Sequence, residues 1–315
     1  MVTKNKCFVG IDVSKATLDI SIEGKYFKIK NEKSSIYRFI EKEIVLKDKT
    51  PSLVCLESTG KLERQAMRCF VDFKIPIHKA HPNRVYSFAK ASGHFAKTDK
   101  LDAQLLEKYA CFVSDKEKGD PVLSEATLEL QELRSVEKDL MGFLHATKCR
   151  MQRSSGTATK RYKIQIKFME TELNIIEKNI ESVIQSDSEL KRKYDLLITY
   201  KGVGKKTARA LLADLSELGL LDKKEIASLV GVAPKLYESG TKKLKGHVFG
   251  GRFFARKALY MAALVASRHN KEMKAFYDRL IANGKAKMQA LIAVMRKIIV
   301  CLNAMVKDNK EYKMA

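Results

Sequence analysis

An aspartate sits inside an apolar, strand-forming run: CFVGIDVSK at 7–15 places Asp12 where a central strand is expected. A carboxylate there loses hydration, so the fold must supply something that compensates it. A second run, SLVCLESTG at 52–60, carries Glu57 at its end. Asp99 and Asp102 follow in KTDKLDAQLLEKYA at 97–110, at the i, i+3 spacing that lets both leave one helix face. Carboxylates gathered at the ends of buried strands repel one another. A divalent cation removes both the repulsion and the hydration deficit.

The rest of the composition says what such a cation would act on. The chain has 315 residues and a net charge of +23, so a polyanion is its natural partner, and with a cation site the phosphodiester backbone fits best. The reading is an enzyme that breaks or joins nucleic acid. The charge is uneven: 23 Lys+Arg against 16 Asp+Glu over 1–123, 13 against 12 over 124–195, and 24 against 9 over 196–315. The last third is the main polyanion-binding candidate, and the balanced middle suits protein contact. No apolar stretch approaches the ~20 residues that span a bilayer, and the N-terminus carries no signal-peptide core. A cytoplasmic, nucleoid-associated protein with no membrane partner is expected. Six scattered cysteines with no C-x-x-C pair read as reduced thiols, with Cys7, Cys55 and Cys111 among apolar neighbours.

KCFVGIDV, TLDISIEG and KYFKIKN predict three consecutive strands, and SSIYRFIEKEIV a helix with apolar positions Ile36, Phe39, Ile40 and Ile44. Then come strand SLVCLE, helix LERQAMRCFVDF, strand IPIHKA, and helices over NRVYSFAKA and LDAQLLEKYACFV. Three antiparallel strands followed by strand–helix alternation is the order of a ribonuclease H-like α/β domain, assigned to 1–123. In 124–195, Leu133, Val136, Leu140 and Phe143, and again Leu173, Ile176, Ile180 and Val183, step as heptad seams around a polar break at 152–161. That predicts a helical coiled-coil hairpin, either for dimerisation or packed on its own domain. Residues 196–315 read as a mainly helical domain. Within it, LLITYKGVGKKTARALLADL predicts a helix–hairpin–helix in which Gly202, Gly204, Lys205 and Lys206, with Arg209, meet a DNA phosphate.

Downstream, Ser239 precedes Gly240 in a stretch with Lys242, Lys243, Lys245, His247, Arg252 and Arg256. A serine flanked by cations can attack phosphorus, but Ser-Gly alone is a common turn. The motifs together say more. GIDVSK (10–15), LEST (56–59), KTDKLDA (97–103), KGVG (201–204), GVAP (231–234), YESG (237–240) and GGRFFARKALYMAA (250–263) appear in order over nearly the whole chain. They resemble the motifs of the DEDD-type insertion-sequence transposases of the IS110 family, relatives of the Piv invertases.

The resemblance implies a RuvC-like N-terminal domain whose metal-binding tetrad is Asp12, Glu57, Asp99 and Asp102, with Mg²⁺ or Mn²⁺ as cofactor. It also implies a C-terminal transposase domain whose nucleophile, Ser239, forms a covalent phosphoserine link to DNA. Implied partners are DNA, a structured noncoding guide RNA encoded beside the gene, and further copies of the chain, as dimers or tetramers. Where the family commonly has Gly-Asn, this chain has Gly251-Arg252, so Arg252 is expected to take a phosphate beside Arg256, and Lys242 and Lys243 to contact DNA. The alternatives are a metal-dependent nuclease or resolvase needing no serine, a Piv-like invertase acting without RNA, a tyrosine recombinase using Tyr237 or Tyr260, and a noncatalytic binding protein. Asp19 and Glu63 read as solvated. His78, His81 and His94 read as surface or phosphate contacts, Phe253, Phe254, Tyr260 and Met261 as helix core, and the helix over 285–307 as packing.

Overall fold

The computed structural model describes residues 6–93, 98–116, 119–121, 123–239 and 242–312, without the side chains of 235–239 and 242–247. The chain divides into two compact units, Met1–Val122 and Leu123–Ala315.

The first unit is built on one mixed sheet. Strands β1 (Cys7–Val13), β2 (Thr17–Ile22) and β3 (Lys25–Lys30) form an antiparallel meander; β4 (Pro51–Glu57) and β5 (Ile77–Ala80) run parallel to β1. The strand order is β3-β2-β1-β4-β5. The connections supply α1 (Lys33–Phe39), extended by a π-helical turn over Ile40–Val45, then α2 (Arg64–Asp72), α3 (Pro82–Ala91) and α4 (Asp99–Val113). Strand alternation sends Val9, Ile11, Leu18, Ile20, Val54 and Leu56 to one face, where they cluster with Ile36, Phe39, Ile40, Ile44 and Phe70. Leu53, Cys55 and Ala80 go to the other and meet Val85, Leu105, Leu106 and Tyr109. β1 is therefore covered on both faces, which explains its unbroken apolar run.

The second unit opens with two long helices, α5 (Glu125–Met151) and α6 (Gly156–Ser186), then α7 (Ser188–Thr199), α8 (Lys205–Asp214) and α9 (Lys223–Val230). A two-stranded antiparallel hairpin, β6 (Lys235–Ser239) and β7 (Lys242–His247), interrupts the helices before α10 (Phe253–His269), α11 (Lys271–Ala282) and α12 (Lys287–Asp308). The residues linking α5 and α6 number only four, so the polar stretch expected as a break is mostly helix. Leu130, Ile176, Ile180 and Ile184 share a core with Leu197, Leu211, Leu259, Val294 and Ile298, so the helix pair is rooted in the C-terminal helices. The expected seam is half covered: Leu133 and Leu140 pack on this core, whereas Val136 and Phe143 are exposed. α12 is long and apolar enough to cross a membrane by composition. Its Leu291, Val294, Ile298 and Leu302 are buried, as a core helix requires. Phe253, Phe254 and Met261, expected in the core, are exposed, as is Cys111. All six cysteines are free thiols.

Candidate active site

Helix α4 lies against β1 and β2 because Gly10 has no side chain. A Cβ there would stand 2.1 Å from the Ala103 carbonyl oxygen and 2.2 Å from the Glu107 amide nitrogen. The helix start is fixed by Thr98, whose hydroxyl accepts the Leu101 N–H at 3.2 Å. Further along, Glu107 accepts the Ser21 hydroxyl at 2.5 Å and the Gly24 N–H at 3.2 Å. These contacts bring the first turn of α4, with Asp99 and Asp102, to the acidic part of the sheet.

That part is a row across four strands. Lys28 on β3 pairs with Asp19 on β2, and Asp19 pairs with Asp12 on β1. Ile11 pairs with Leu56 on β4, so the next residues, Asp12 and Glu57, stand side by side. Alternation puts the row on the face of Cys55 and Leu53, the face α4 covers. Burial pushes the Asp12 carboxyl above the ordinary aspartate range, and Asp102, then Asp19 and Asp99, push the same way; a hydrogen bond from the Val13 backbone opposes them. Asp12 thus feels both aspartates of α4 as neighbouring negative charge. Asp19, expected in solvent, is 2 % exposed. It accepts the Tyr26 hydroxyl and lies 3.3 Å from the Lys28 ammonium, which also stands 3.5 Å from Asp99. The chemistry of this donor set, all hard oxygens crowded against their charge, fits a divalent cation. Among the described residues no three metal-binding side chains converge tightly enough to enclose one.

Two other residues expected to be solvated or at the surface are structural. Glu63 is buried and accepts the backbone N–H groups of Thr59 and Lys61, fixing the loop that leaves Glu57. His78 is buried, with Nδ1 3.3 Å from Asp120. Burial opposes charge on Asp120, but His78 and the Lys79 N–H outweigh it and hold that carboxyl below its usual range. His81 accepts the Asn83 N–H and caps α3. His94 lies outside the described residues.

In the second unit Ser239 ends β6, opposite Lys242 at the start of β7. Its side chain, like those of Lys242 and Lys243, lies outside the described residues. The base of this hairpin is closed by backbone contact. Gly231, after α9, and Gly251, before α10, have positive φ of 77° and 70°, and a Cβ on Gly251 would stand 2.3 Å from the Gly231 nitrogen. Arg256 donates to the Gly250 carbonyl, and the Arg252 N–H donates to Leu229 at 2.9 Å. The Arg252 guanidinium is committed to Glu217, as a two-toothed pair, and to the Asp214 carbonyl at 2.6 Å. A phosphate contact from Arg252 would have to break that fork.

The helix–turn–helix around KGVG shows a similar division. Gly202 permits a close approach to α10, since a Cβ there would lie 2.9 Å from that of Ala266. Gly204 begins α8 with no side-chain cap and open space beside it. Lys205 is exposed, Lys206 pairs with Glu177 at 2.8 Å, and Arg209, 7 % exposed, pairs with Glu181. Arg209 is thus buried and held by a carboxylate.

Residues 9–154 match the family model DEDD_Tnp_IS110, a transposase, and residues 194–278 match the Transposase IS116/IS110/IS902 family. The chain belongs to the IS110 family of transposases. Over 322 residues it is 26% identical to the pilin gene-inverting proteins of Moraxella lacunata and Moraxella bovis, covering 98% of this chain and 98% of each relative. It is also 31% identical over 120 residues to an insertion element IS110 protein of Streptomyces coelicolor, covering 38% of this chain and 30% of that protein. The protein is a transposase or recombinase that acts on DNA, and DEDD transposases depend on divalent metal.

Proposed function

We propose that this IS110-family enzyme cuts and rejoins DNA strands through a phosphoserine intermediate on Ser239, with Asp12, Glu57, Asp99 and Asp102 as ligands for Mg²⁺. The observation that carries the metal half is the carboxylate row beneath the first turn of α4, in which Asp102 and Asp99 raise the proton affinity of half-buried Asp12. The sheet order β3-β2-β1-β4-β5 supports a ribonuclease H-like, RuvC-like frame for it. When bound, Mg²⁺ supplies positive charge against the phosphate and the departing oxygen.

In the covalent step the Ser239 oxygen forms a bond to phosphorus as the bond to one deoxyribose oxygen breaks. The serine proton leaves to a base, and the released sugar oxygen takes up a proton. Attack by a second sugar hydroxyl reverses the exchange, so each phosphodiester lost is regained without an external energy source. The hairpin's location in the strongly basic third supports DNA contact there by Lys242, Lys243, Lys205, Lys206 and Arg256. Base recognition is assigned to a noncoding guide RNA, leaving the protein to hold backbone. The exposed α5 and α6 positions are assigned to pairing with a second copy, which would contribute to a composite site.

The test is Ser239→Ala beside Asp12→Asn on supercoiled DNA carrying the element ends. A serine recombinase yields a protein–DNA adduct in denaturing gels, and Ser239→Ala loses both adduct and cleavage. Cleavage retained in Ser239→Ala would instead establish a metal-dependent nuclease. A second reading is favoured by the end-to-end similarity to pilin gene-inverting proteins: inversion of a segment between two sites without RNA. It predicts inversion on a two-site plasmid that ribonuclease treatment leaves unchanged.

A further inference from the structure

Lys28 is where the acidic row ends, and its ammonium serves two carboxylates of different standing. Asp19 is buried and lies between Asp12 and Lys28 in the cross-strand register, so it needs a counterion. Lys28 supplies one at 3.3 Å. The same nitrogen reaches 3.5 Å to Asp99, one of the two helix-borne aspartates, whose side chain is largely exposed at the start of α4. Asp19 has a second hydrogen-bond partner in the Tyr26 hydroxyl, and Lys28 can keep its pair with Asp19 while releasing Asp99. Asp99 has no such second contact among the described residues. The half-exposed Lys28–Asp99 pair is weak enough to exchange for a stronger cation.

We propose that Lys28 is a positioning residue that holds Asp99 beside Asp19 in the metal-free enzyme, and that lysine and divalent metal compete for the Asp99 carboxylate. The proposal rests on the reading of Asp12, Glu57, Asp99 and Asp102 as metal ligands. Competition of this kind sets a threshold of metal concentration below which α4's first turn stays tied to β3.

The experiment is calorimetric titration of the full-length protein with MnCl₂, without DNA, for wild type, Lys28→Gln and Lys28→Arg. Removing one positive charge a few ångströms from the ligands should tighten Mn²⁺ binding about tenfold in Lys28→Gln. Lys28→Arg, which keeps the charge, should bind no more tightly than wild type. Thermal denaturation provides a second readout that tolerates a destabilised variant. Lys28→Gln should melt lower than wild type without metal yet gain more from saturating Mn²⁺. Unchanged or weaker Mn²⁺ binding in Lys28→Gln, with wild type binding normally, overturns the competition alone. Failure of wild type to bind Mn²⁺ at all overturns the tetrad reading and this one with it.

Discussion

The carboxylate row of the first unit and the hairpin base of the second hold chemistry by opposite means. In the row, side chains of like charge are forced together by strand register and by α4, and the repulsion shows in Asp12. At the hairpin base, backbone touches backbone at Gly231 and Gly251, and two arginines staple the flanking loops to carbonyls and to Glu217. The first arrangement concentrates negative charge around a half-buried carboxyl. In the second, among the described residues, both arginines are held by backbone carbonyls and a carboxylate. A site proposed to bind metal reversibly would benefit from the former, and one proposed to present a loop residue in a fixed place from the latter.

Glycine replacement should separate the two most strongly. Gly10→Ala drives a Cβ into the backbone of α4, which must lift from the sheet. We expect a loss of about 3 kcal/mol or more in stability, and loss of Mn²⁺ binding because Asp99 and Asp102 travel with the helix. Gly251→Ala combines a left-handed backbone with a 2.3 Å approach to Gly231. It should abolish strand transfer while leaving Mn²⁺ binding at the wild-type level. Calorimetry and melting curves on both variants decide it. Normal Mn²⁺ affinity in Gly10→Ala, or lost affinity in Gly251→Ala, would break the comparison.

A smaller effect belongs to the staple. Arg252→Lys keeps the charge but cannot span both Glu217 oxygens and the Asp214 carbonyl. It should cost about 1–3 kcal/mol. Lys206→Ala, which removes a side chain 82% exposed beside Glu177, should cost well under ~1 kcal/mol. Equal melting points for the two variants would mean that the Arg252 fork does not stiffen the hairpin base.

How much of this was legible depended on whether the cause was local. Period-two alternation in 7–30 and the apolar runs at 51–57 and 75–80 are properties of short segments, so the strands and the acids within them could be read directly. Asp12 and Glu57 were visible as carboxylates in apolar strands, and Asp99 and Asp102 through helical spacing. Asp19 and Lys28 were not, because each alternates with apolar neighbours as a solvent-facing residue would. Helix α4, arriving some eighty residues later in the chain, covers that part of the face. The combination of Gly10 and a polar Ser21 opposite it was the available signal for a closely packed helix. The ion pairs of Arg209 and Arg252 were not legible, because a basic run does not disclose the glutamates that meet it. Glu181 and Glu217 come from separate segments. The β6–β7 hairpin was missed for a different reason: KLYESGTKKLKGH carries no continuous apolar alternation, and the region read as mainly helical.

The smallest effect is in pH, and it tests the strain in the row by itself. Burial, Asp102, Asp19 and Asp99 raise the Asp12 pKa in the folded protein above its value in the unfolded chain. Between those two values the folded state binds more protons, so stability falls as pH rises across the window. Below the ordinary aspartate range both states are protonated and Asp12 imposes no penalty; above the raised value the penalty is complete. Asp12→Asn removes the charge while keeping the shape. In metal-free buffer the variant should therefore melt above wild type, with a gap that widens as pH rises above the ordinary aspartate range. Saturating Mn²⁺ should close or reverse that gap, because only wild type gains from the cation. A gap that is flat with pH, or that narrows as pH rises, would mean that Asp12 is not strained and that the row differs from the hairpin base only in its chemistry.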